Sequence, residues 1–461
     1  MHYIKTVSLI GCFAVLTAGC KLQLPAAVGS IAEPETQNVL SDPEDNFVSE
    51  LLALTSNSDK KINVDLGYLA ATKAAVLRDP QVMSARAELN TRQASLRESM
   101  SLKDFNYSGT ILGGVEDVTD EVAGVAAILS ANRVVYDGGA IDARIEADQF
   151  GIEAAEHALL ATMNERATKL SHAWIEYERY QSLANMIEER LSILNPLLKQ
   201  LDQVASAGIG DMSQVASAQR TVFAIQAEQK TILEAFEQSK LEFISQFGSV
   251  PKKSTYQAVR VSEAMPTSAS SRIAEKAPAL LSRYYAYKAA EATIAAVKAQ
   301  NNFTVGFEAK LQRPFADSKY DSDETFGLVL NKKFYRGDQL SSKIEQAEAR
   351  AAATAEEVRR TYREGERMIK SARQMIKTME TSVKLAQQNA EVARSEVKYL
   401  RKQLVIGGST LESVLSAEAR LYEAESKEVG FVADWRKAEA TVLGTTGGFS
   451  KLLGFSSDSI K

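Results

Sequence analysis

The sequence contains few side chains of the kinds that perform catalysis or bind metals. Its three histidines are His2, His157 and His172, and no cysteine lies near either of the last two. Because a zinc site usually combines four histidine, cysteine or carboxylate ligands, this set argues against a metal centre. The glycine pairs are not followed by the Lys-Ser or Lys-Thr of a phosphate-binding loop. We therefore predict no catalytic residue, no cofactor and no metal site, so the protein is not an enzyme.

Cys20 is the side chain for which the sequence does predict a covalent modification. It follows Thr17-Ala18-Gly19 and a short apolar run that begins after Lys5. A run of about ten apolar residues is too short to span a bilayer, which takes about 20, and is typical of a secretory signal peptide. The segment resembles a bacterial lipobox, which implies cleavage before Cys20 and lipid attachment to its thiol. Lys21 after the cysteine then implies sorting to the outer membrane.

Cysteine usage fits this interpretation. The sequence has two cysteines, and Cys12 would leave with the signal peptide. Cys20 would then have no partner for an internal disulfide, whereas lipidation would use its thiol. The alternative is an ordinary cleaved signal peptide with an unmodified Cys20.

The composition is that of an ordinary folded protein of 461 residues, with 45% hydrophobic and 25% charged residues. The formal net charge of −5 gives no basic surface that would indicate nucleic-acid binding. Ala, Glu, Gln, Lys and Arg dominate the middle of the chain, which favours long helices.

An internal repeat organises the sequence. Val135–Gly139 matches Phe334–Asp338, and Gly208–Gln219 matches Gly407–Glu418, both at an offset of 199 residues. The constant offset means that the repeat continues between these segments without a net insertion. Segments that keep one register over such a distance are expected to be rods that pack side by side.

Each half of the repeat reads as a helix, two strands, a very long helix, a glycine turn and a second long helix. Residues 61–100 are helical in pattern, with Gly67 and Pro80 as breakers, and residues 338–405 contain no proline and only Gly365. A helix over 338–405 would be about 100 Å long, which is too long for a compact domain.

Two heptad series run along residues 338–405. They are Leu340, Ala347, Thr354, Thr361, Met368 and Met375, and Ile344, Ala351, Val358, Gly365, Ala372, Met379, Ala386, Ala393 and Leu400. This pattern is typical of a coiled coil with closely packed helices. We therefore expect Met368, Met375 and Met379 to pack against neighbouring helices and not to bind a soft metal.

Four strand candidates lie between the helices. Residues 303–313 and 325–335 alternate between apolar and polar side chains, and the polar segment 317–323 separates them. Two further strands are predicted near 105–114 and 122–135, around a loop at 116–121. The apolar faces of the later pair are Phe303, Val305, Phe307, Ala309 and Leu311, and Phe326, Leu328, Leu330 and Phe334. Alternation over about ten residues is typical of transmembrane barrel strands. Soluble hairpins packed on a domain core are the alternative.

Four strands cannot close a membrane barrel, because barrels made by one chain start at eight strands. Open strand edges are excluded from hydrocarbon, since each unpaired backbone group costs several kcal/mol. If these strands enter a membrane, several chains must pool them, and three chains give twelve strands.

Two segments carry a family resemblance. Tyr136–Gly139 lies between a strand and a long helix, and Gly407–Glu418 lies at the turn of the second helical hairpin. With the tandem repeat, they resemble the TolC-like outer-membrane efflux family over about residues 60–450. The resemblance implies a mainly α fold with long coiled-coil-like hairpins and four β-strands per chain. Three chains would close a 12-stranded barrel in the outer membrane and an α-helical tunnel in the periplasm, with a lipid anchor at Cys20.

The resemblance also implies a passive exit duct of a tripartite efflux pump or a type I secretion system. Its partners would be two further copies of the chain, outer-membrane lipid, a periplasmic adaptor and an inner-membrane ABC or proton-driven pump. The tip that contacts the adaptor would comprise Gly208, Gly210, Asp211, Gly407, Gly408 and Thr410. The tunnel entrance would be lined by Gln214, Ser217, Ser413 and Ser416, and well-known members have aspartates at the positions of the two serines.

The predicted boundaries are 1–19 for the signal peptide, 20–60 for a lipidated extended segment, 61–250 for the first repeat, 251–265 for a linker, 266–447 for the second repeat and 448–461 for a C-terminal tail. The alternative function is a lipid-anchored periplasmic coiled-coil scaffold or adhesion protein without a pore. It would explain the anchor and the helices, but not the strand pairs at equal positions in both halves. Whether the cargo is protein or small molecule stays open.

Overall fold

The structure is a computed structural model. It describes residues 62–117, 122–208, 211–252, 275–315, 318, 320–334 and 337–455. All of these belong to one compact unit that begins at Ser58. The predicted signal peptide, the predicted segment 20–60 with Cys20, Gly210, and residues 253–265 of the predicted linker at 251–265 lie outside the described residues.

The helices and strands follow one another along the chain in the predicted order. In the first half they are α1 (Tyr68–Arg78), α2 (Pro80–Ser101), β1 (Asn106–Asp117), β2 (Val122–Tyr136), α3 (Ala140–Ser206) and α4 (Met212–Phe247). In the second half they are α5 (Pro278–Ala299), β3 (Thr304–Pro314), β4 (Asp323–Asn331), α6 (Gln339–Val405), α7 (Leu411–Thr446) and α8 (Gly448–Leu453).

The two halves match in the lengths of their helices. α2 and α5 have 22 residues each, α3 and α6 have 67 each, and α4 and α7 have 36 each. A helix of 67 residues is about 100 Å long. The offset of 199 residues therefore corresponds to two structural units with equal rods, as the sequence predicts.

The helical pattern predicted over 61–100 is broken at its two expected breakers. A short 3₁₀ turn at Val64–Leu66 ends at Gly67, which has a φ of 98° that favours glycine. Asp79 then separates α1 from α2, because its carboxylate accepts a 2.9 Å hydrogen bond from the N–H of Gln81. Pro80 occupies the first helical position, where its missing N–H costs nothing.

The four strands form one antiparallel sheet in the order β1-β2-β3-β4. The predicted strand limits need correction at two places. β4 covers Asp323–Asn331 and not 325–335, so Phe334 lies beyond it and is 93% exposed. β1 continues to Asp117, so the predicted loop at 116–121 is shorter. Alternation of side chains alone does not mark the residue at which strand pairing stops.

An aromatic cluster joins the two halves beside the sheet-proximal parts of the rods. The centroid of the Trp174 indole in α3 lies 5.6 Å from the ring centroid of Tyr68 and 5.0 Å from that of Phe243. Phe449 and Leu453 of α8 are buried in the same cluster. The segment predicted as a C-terminal tail therefore begins with a helix that contributes to this core.

A second core lies toward the other end of the rods. It contains Ile187 and Leu194 of α3, Val222 of α4, and Leu415 of α7, all buried. α3 packs against both α4 and α7, and α7 packs against α6. The four rods therefore lie in the order α4-α3-α7-α6, with α4 and α6 at the outer positions.

Burial along α6 agrees with one predicted heptad series and departs from the other. The second series holds along the helix, with Ala351, Ala372, Ala386 and Ala393 buried. The first series holds only in the first half of α6. Beyond the middle of the helix, the buried residues lie one position later than this series, at Ile369, Val383, Ala390 and Val397. A straight α-helix drifts by about 20° per heptad against a 3.5-residue repeat, which moves the buried stripe in this way. Met368 and Met375 consequently stay 45% and 42% exposed. The sulfur of Met368 still accepts a 3.0 Å hydrogen bond from the hydroxyl of Thr445 in α7, so Met368 contacts a neighbouring helix as expected.

Candidate channel surfaces

The sheet has one apolar and one polar face. The strand register aligns every second residue of each strand on the same side. The apolar face carries Tyr107, Ile111, Val125, Leu129, Val305, Phe307, Ala309, Leu311, Phe326, Leu328 and Leu330. Its side chains are open to the surroundings: Ile111 is 73%, Leu129 56% and Phe326 79% exposed. Except for Phe303 and Phe334, which lie outside the strands, the predicted apolar residues of β3 and β4 are confirmed on this common face.

The opposite face carries most of the hydroxyl, amide and charged groups of the sheet, together with the apolar side chains of Leu112, Ile128, Val134 and Val329. It carries Ser108, Thr110, Ser130, Asn132, Glu308, Lys310, Gln312, Asp323 and Thr325. An apolar exterior with a polar interior is the arrangement of transmembrane β-barrels. A soluble hairpin would instead bury its apolar face against a core, and no described element covers this one.

Charged and aromatic side chains bracket the apolar face. At the end remote from the helices, Arg313 and Glu324 form an ion pair. At the helix-proximal end, the guanidinium of Arg133 lies 5.2 Å from the ring of Phe105. Phe307 of β3 pairs with Arg133. From Phe307 to Arg313 the strand rises by six residue steps, which span about 20 Å. This height is close to the apolar band of about 25 Å in outer-membrane barrels.

Both outer edges of the sheet lack a strand partner among the described residues. β1 pairs only with β2, and β4 pairs only with β3. Each edge therefore presents a row of backbone N–H and C=O groups that another strand can pair with.

The two glycine turns lie together at the end of the rods remote from the sheet. Gly208 and Gly407 have φ values of 73° and 75°, which glycine adopts without strain. Leu201, Val215 and Leu415, which flank the turns, belong to one buried cluster. The structure thus brings the two predicted tip segments to the same end, with Gly407 and Gly408 exposed.

Helix caps fix the entry into α4 and α7. Asp211 accepts a 2.8 Å hydrogen bond from the backbone N–H of Ser213 and a 2.7 Å bond from its hydroxyl. These bonds lower the pKa of the Asp211 carboxyl from its ordinary value. Thr410, at the equivalent position of the repeat, accepts a 3.1 Å bond from the N–H of Ser413. Both predicted contact residues therefore have a structural role as caps.

The four predicted entrance residues lie just past these caps and are half-buried. The hydroxyl of Ser413 lies 2.8 Å from that of Thr410, and the hydroxyl of Ser416 donates to Glu412 at 3.4 Å. Gln214 and Ser217 occupy the matching positions of α4. None of the four side chains carries a charge.

A buried ionic network near this end was not anticipated from the sequence. Glu418 and Glu425 of α7 are seven residues apart, as are Arg394 and Arg401 of α6, and they pair across the antiparallel hairpin. Arg190 of α3 contacts both glutamates. Equal heptad spacing of opposite charges on the two arms of the hairpin is the sequence signal that would have located it.

The outer rods expose apolar residues near this end. On α6, Leu385, Val392 and Tyr399 are 60%, 68% and 60% exposed and recur every seven residues, and Ile406 continues the series just past the helix. On α4, Phe223 is 60% exposed near this end, and Leu241, farther along the helix beside the aromatic cluster, is 65% exposed. An apolar stripe at heptad spacing on a water-facing helix is typical of an interface with another helix.

The two described histidines serve packing. The ring of His157 stacks on Tyr285 at 5.4 Å, and Nε2 of His172 lies 3.2 Å from the backbone oxygen of Lys437. Burial lowers the pKa of both histidines. Within the described ranges, no group of three or more His, Cys, Asp or Glu side chains is arranged to hold a metal ion. Among the described helices, none is long and apolar enough to cross a membrane.

Residues 269–448 match the family model of the outer membrane efflux protein. Comparison with curated protein sequences found no match. Among solved structures, the fold is similar to that of the outer membrane protein VceC of Vibrio cholerae, with 16% identity and a TM-score of 0.69 over 82% of this chain and 96% of VceC.

Two further structures show the same fold. The CmeC outer membrane channel of Campylobacter jejuni has 13% identity and a TM-score of 0.69, over 84% of this chain and 88% of its own. A membrane protein of Pseudomonas aeruginosa has 15% identity and a TM-score of 0.70, over 84% and 91%. Residues 269–448 are therefore similar to the outer membrane efflux protein family, and the chain shares its fold with solved outer-membrane channels.

Proposed function

We propose that the protein is the outer-membrane duct of a tripartite efflux pump or a type I secretion system. The observation that carries this proposal is the four-stranded sheet, because its apolar face is exposed and its polar face lines the other side. Such a sheet suits a barrel wall between lipid and a water-filled lumen. The duct is passive, and the inner-membrane pump supplies the energy.

Three copies of the chain complete the duct. Open edges of β1 and β4 do not occur in hydrocarbon, so β4 of one copy pairs with β1 of the next until the ring closes. The exposed stripe of α6, at Leu385, Val392 and Tyr399, is then covered by α4 of the neighbouring copy, which exposes Phe223 near the same end of the rods. A neighbouring copy of the chain thus covers both the open edges of the sheet and the exposed apolar stripe of α6.

The first test is reconstitution. The full-length protein purified in detergent should have the mass of three chains, each with lipid on Cys20 at its mature N-terminus, and should give discrete ionic currents in planar lipid bilayers. A monomer that conducts no ions would favour the alternative of a scaffold without a pore. A conducting trimer whose N-terminus carries no lipid would retain the duct and exclude the anchor.

The tip formed by the two glycine turns is proposed as the contact for a periplasmic adaptor. Gly407 and Gly408 are exposed, and Gly408 lacks the positive φ that disfavours larger side chains. A Cβ at Gly408 would meet only Gln403, at 3.8 Å. A larger residue there alters the tip surface without straining the backbone.

Gly408→Phe should therefore lower export by about tenfold or more, as expected when an interface residue costs at least about 1.4 kcal/mol of binding. The measurement is retention of a fluorescent pump substrate or of a secreted protein in cells that depend on this duct. Gly408→Ala is the matched control and should export normally. Unimpaired export by Gly408→Phe, with normal amounts of trimer, would place the adaptor contact elsewhere.

A further inference from the structure

A groove runs between α6 and α7 near the middle of the rods, and its volume is about 500 Å³. It lies at the level of the aromatic cluster, to which the neighbouring residue Ala440 of α7 belongs. Its apolar lining consists of Met368, Ala372 and Met375 of α6 and Ala438 of α7. A groove of this volume is large enough to hold a small organic molecule.

Three charged side chains also line the groove, and two of them have partners of opposite charge. Lys437 forms an ion pair with Glu176 of α3, and a carboxylate oxygen of Asp434 lies 3.9 Å from Nη1 of Arg179. The third is Arg367, which is exposed and with which no carboxylate of the described part of the chain forms an ion pair. The groove therefore presents one uncompensated positive charge.

The two methionines beside Arg367 are partly exposed in the groove. The sulfur of Met368 is held in place by the hydrogen bond from the hydroxyl of Thr445. Unbranched thioether side chains adapt to apolar groups of different shapes and make favourable contacts with aromatic rings. A methionine surface next to a guanidinium suits a molecule that has an apolar body and an acidic group.

The groove opens on the face of the helix layer that is remote from α1. The hydroxyl of Tyr68 in α1 lies 2.5 Å from that of Ser171 in α3, whereas Glu176 of α3 pairs with Lys437 in the groove. With 3.6 residues per turn, Ser171 and Glu176 point about 140° apart. In the proposed duct α1 must lie outside the ring, because three copies of it inside would fill the tunnel. The groove therefore opens to the lumen.

We propose that this groove is a contact site in the tunnel wall for anionic amphiphilic cargo, meaning small molecules with an apolar body and a carboxylate, sulfonate or phosphate group. The guanidinium of Arg367 receives the acidic group through paired N–H donors. Met368 and Met375 receive the apolar body. The proposal rests on the proposed duct, in which this face is the lumen, and three copies of the chain place three such grooves at one level of the tunnel.

The site has to be weak if cargo is to pass. Arg367 is exposed to water, where an ion pair gains far less than in a dry interior. A conducting pore needs contacts that favour entry and still release the molecule. The groove thus raises the local concentration of anionic amphiphiles in the tunnel, and it does not drive their transport.

The test is single-channel recording of the full-length trimer in planar lipid bilayers. The probe is naphthalenesulfonate, and the matched probes are the neutral naphthalenemethanol and the cationic naphthylmethylammonium. We expect naphthalenesulfonate to interrupt the ionic current in brief blockades. The two matched probes should do so much less often at the same concentration, because Arg367 attracts neither of them.

Arg367→Gln should shorten the naphthalenesulfonate blockades by about tenfold, as expected for the loss of a charge-assisted hydrogen bond. Asp434→Asn removes the acid of the groove and should lengthen them. Lys377→Gln is the matched control, because it removes a positive charge from an exposed residue of the same helix. Lys377 points about 160° away from Met375, outside the groove, so this variant should behave like the wild type.

Met375→Gln should also shorten the blockades, and it serves as a second variant if Arg367→Gln does not assemble. Equal shortening by Arg367→Gln and Lys377→Gln would mean that the overall charge of the tunnel acts on the probe and not the groove. A channel that conducts ions but does not distinguish the sulfonate from the ammonium would retain the duct and overturn the contact site. Absence of any ionic current would contradict the duct itself, and the contact site with it.

Discussion

Replacing Arg190 with methionine should destabilise the tip half of the rods by about 3–5 kcal/mol, the usual cost of removing one partner from a buried ion pair. The side chain of Glu418 is only 1% exposed, and Arg190 is 9% exposed. Without the guanidinium, the Glu418 carboxylate would keep only Arg401, whose side chain is 48% exposed. A buried charge with too little compensation is costly because it cannot recover its hydration.

Hydrogen exchange of the backbone amides in α7 is the measurement for Arg190→Met, since it reports local opening. The amides around Glu418 and Glu425 should lose protection, while those near the aromatic cluster of Trp174 should change little. Lys427→Met is the matched control. Its partner Glu423 lies 2.6 Å away, but both side chains are more than half exposed, so its loss should change stability by less than about 0.5 kcal/mol.

A double variant identifies the cause of the Arg190 effect. In Arg190→Met with Glu418→Met, two apolar side chains of similar length replace the pair, and such replacements are often neutral or stabilising. The double variant should therefore regain much of the protection that Arg190→Met loses. If the double variant instead loses as much protection as Arg190→Met and Glu418→Met lose together, the effect comes from packing of the Arg190 stem and not from the uncompensated charge.

Much of the architecture could be predicted because it is periodic. The offset between Val135–Gly139 and Phe334–Asp338 predicted two units, and the structure contains pairs of rods with 67 and 36 residues. The strict alternation in β3 predicted the apolar face from Val305 to Leu311. Both features repeat at a fixed interval, so a single chain displays them many times.

Features that depend on contacts between distant segments could not be read in this way. The close approach between Gly124 and Ser318 joins residues more than 190 positions apart in the sequence. The bridge from Arg190 to Glu418 joins residues 228 positions apart. In α6, the fully buried positions of the first heptad series move one residue later along the helix, because a straight helix drifts slowly against a fixed seven-residue interval.

Placing an arginine at Leu328 should prevent stable insertion of the sheet, whereas an arginine at Thr325 should be tolerated. Leu328 lies in the middle of the apolar face of β4, pairs with Phe307 and is 69% exposed. In the proposed barrel that exposure is to lipid. An arginine facing lipid near the bilayer midplane costs about 2–4 kcal/mol per chain, and a trimer carries that cost three times.

Thr325 is the matched control because it belongs to the same strand but lies on the polar face, opposite Lys310. Thr325→Arg places its charge in a water-filled lumen, where hydration is retained and selectivity changes more than stability. The measurement is the amount of heat-resistant trimer extracted from outer membranes, with denaturant-induced unfolding in lipid vesicles as the quantitative assay. Leu328→Arg should yield little trimer, and Thr325→Arg near-normal amounts.

Since the two positions are three residues apart and the new side chain is the same, strand propensity cannot account for a difference between them. Equal tolerance of both variants would mean that the apolar face does not meet lipid, and an equal loss would mean that β4 tolerates arginine on neither face; either result would contradict the barrel.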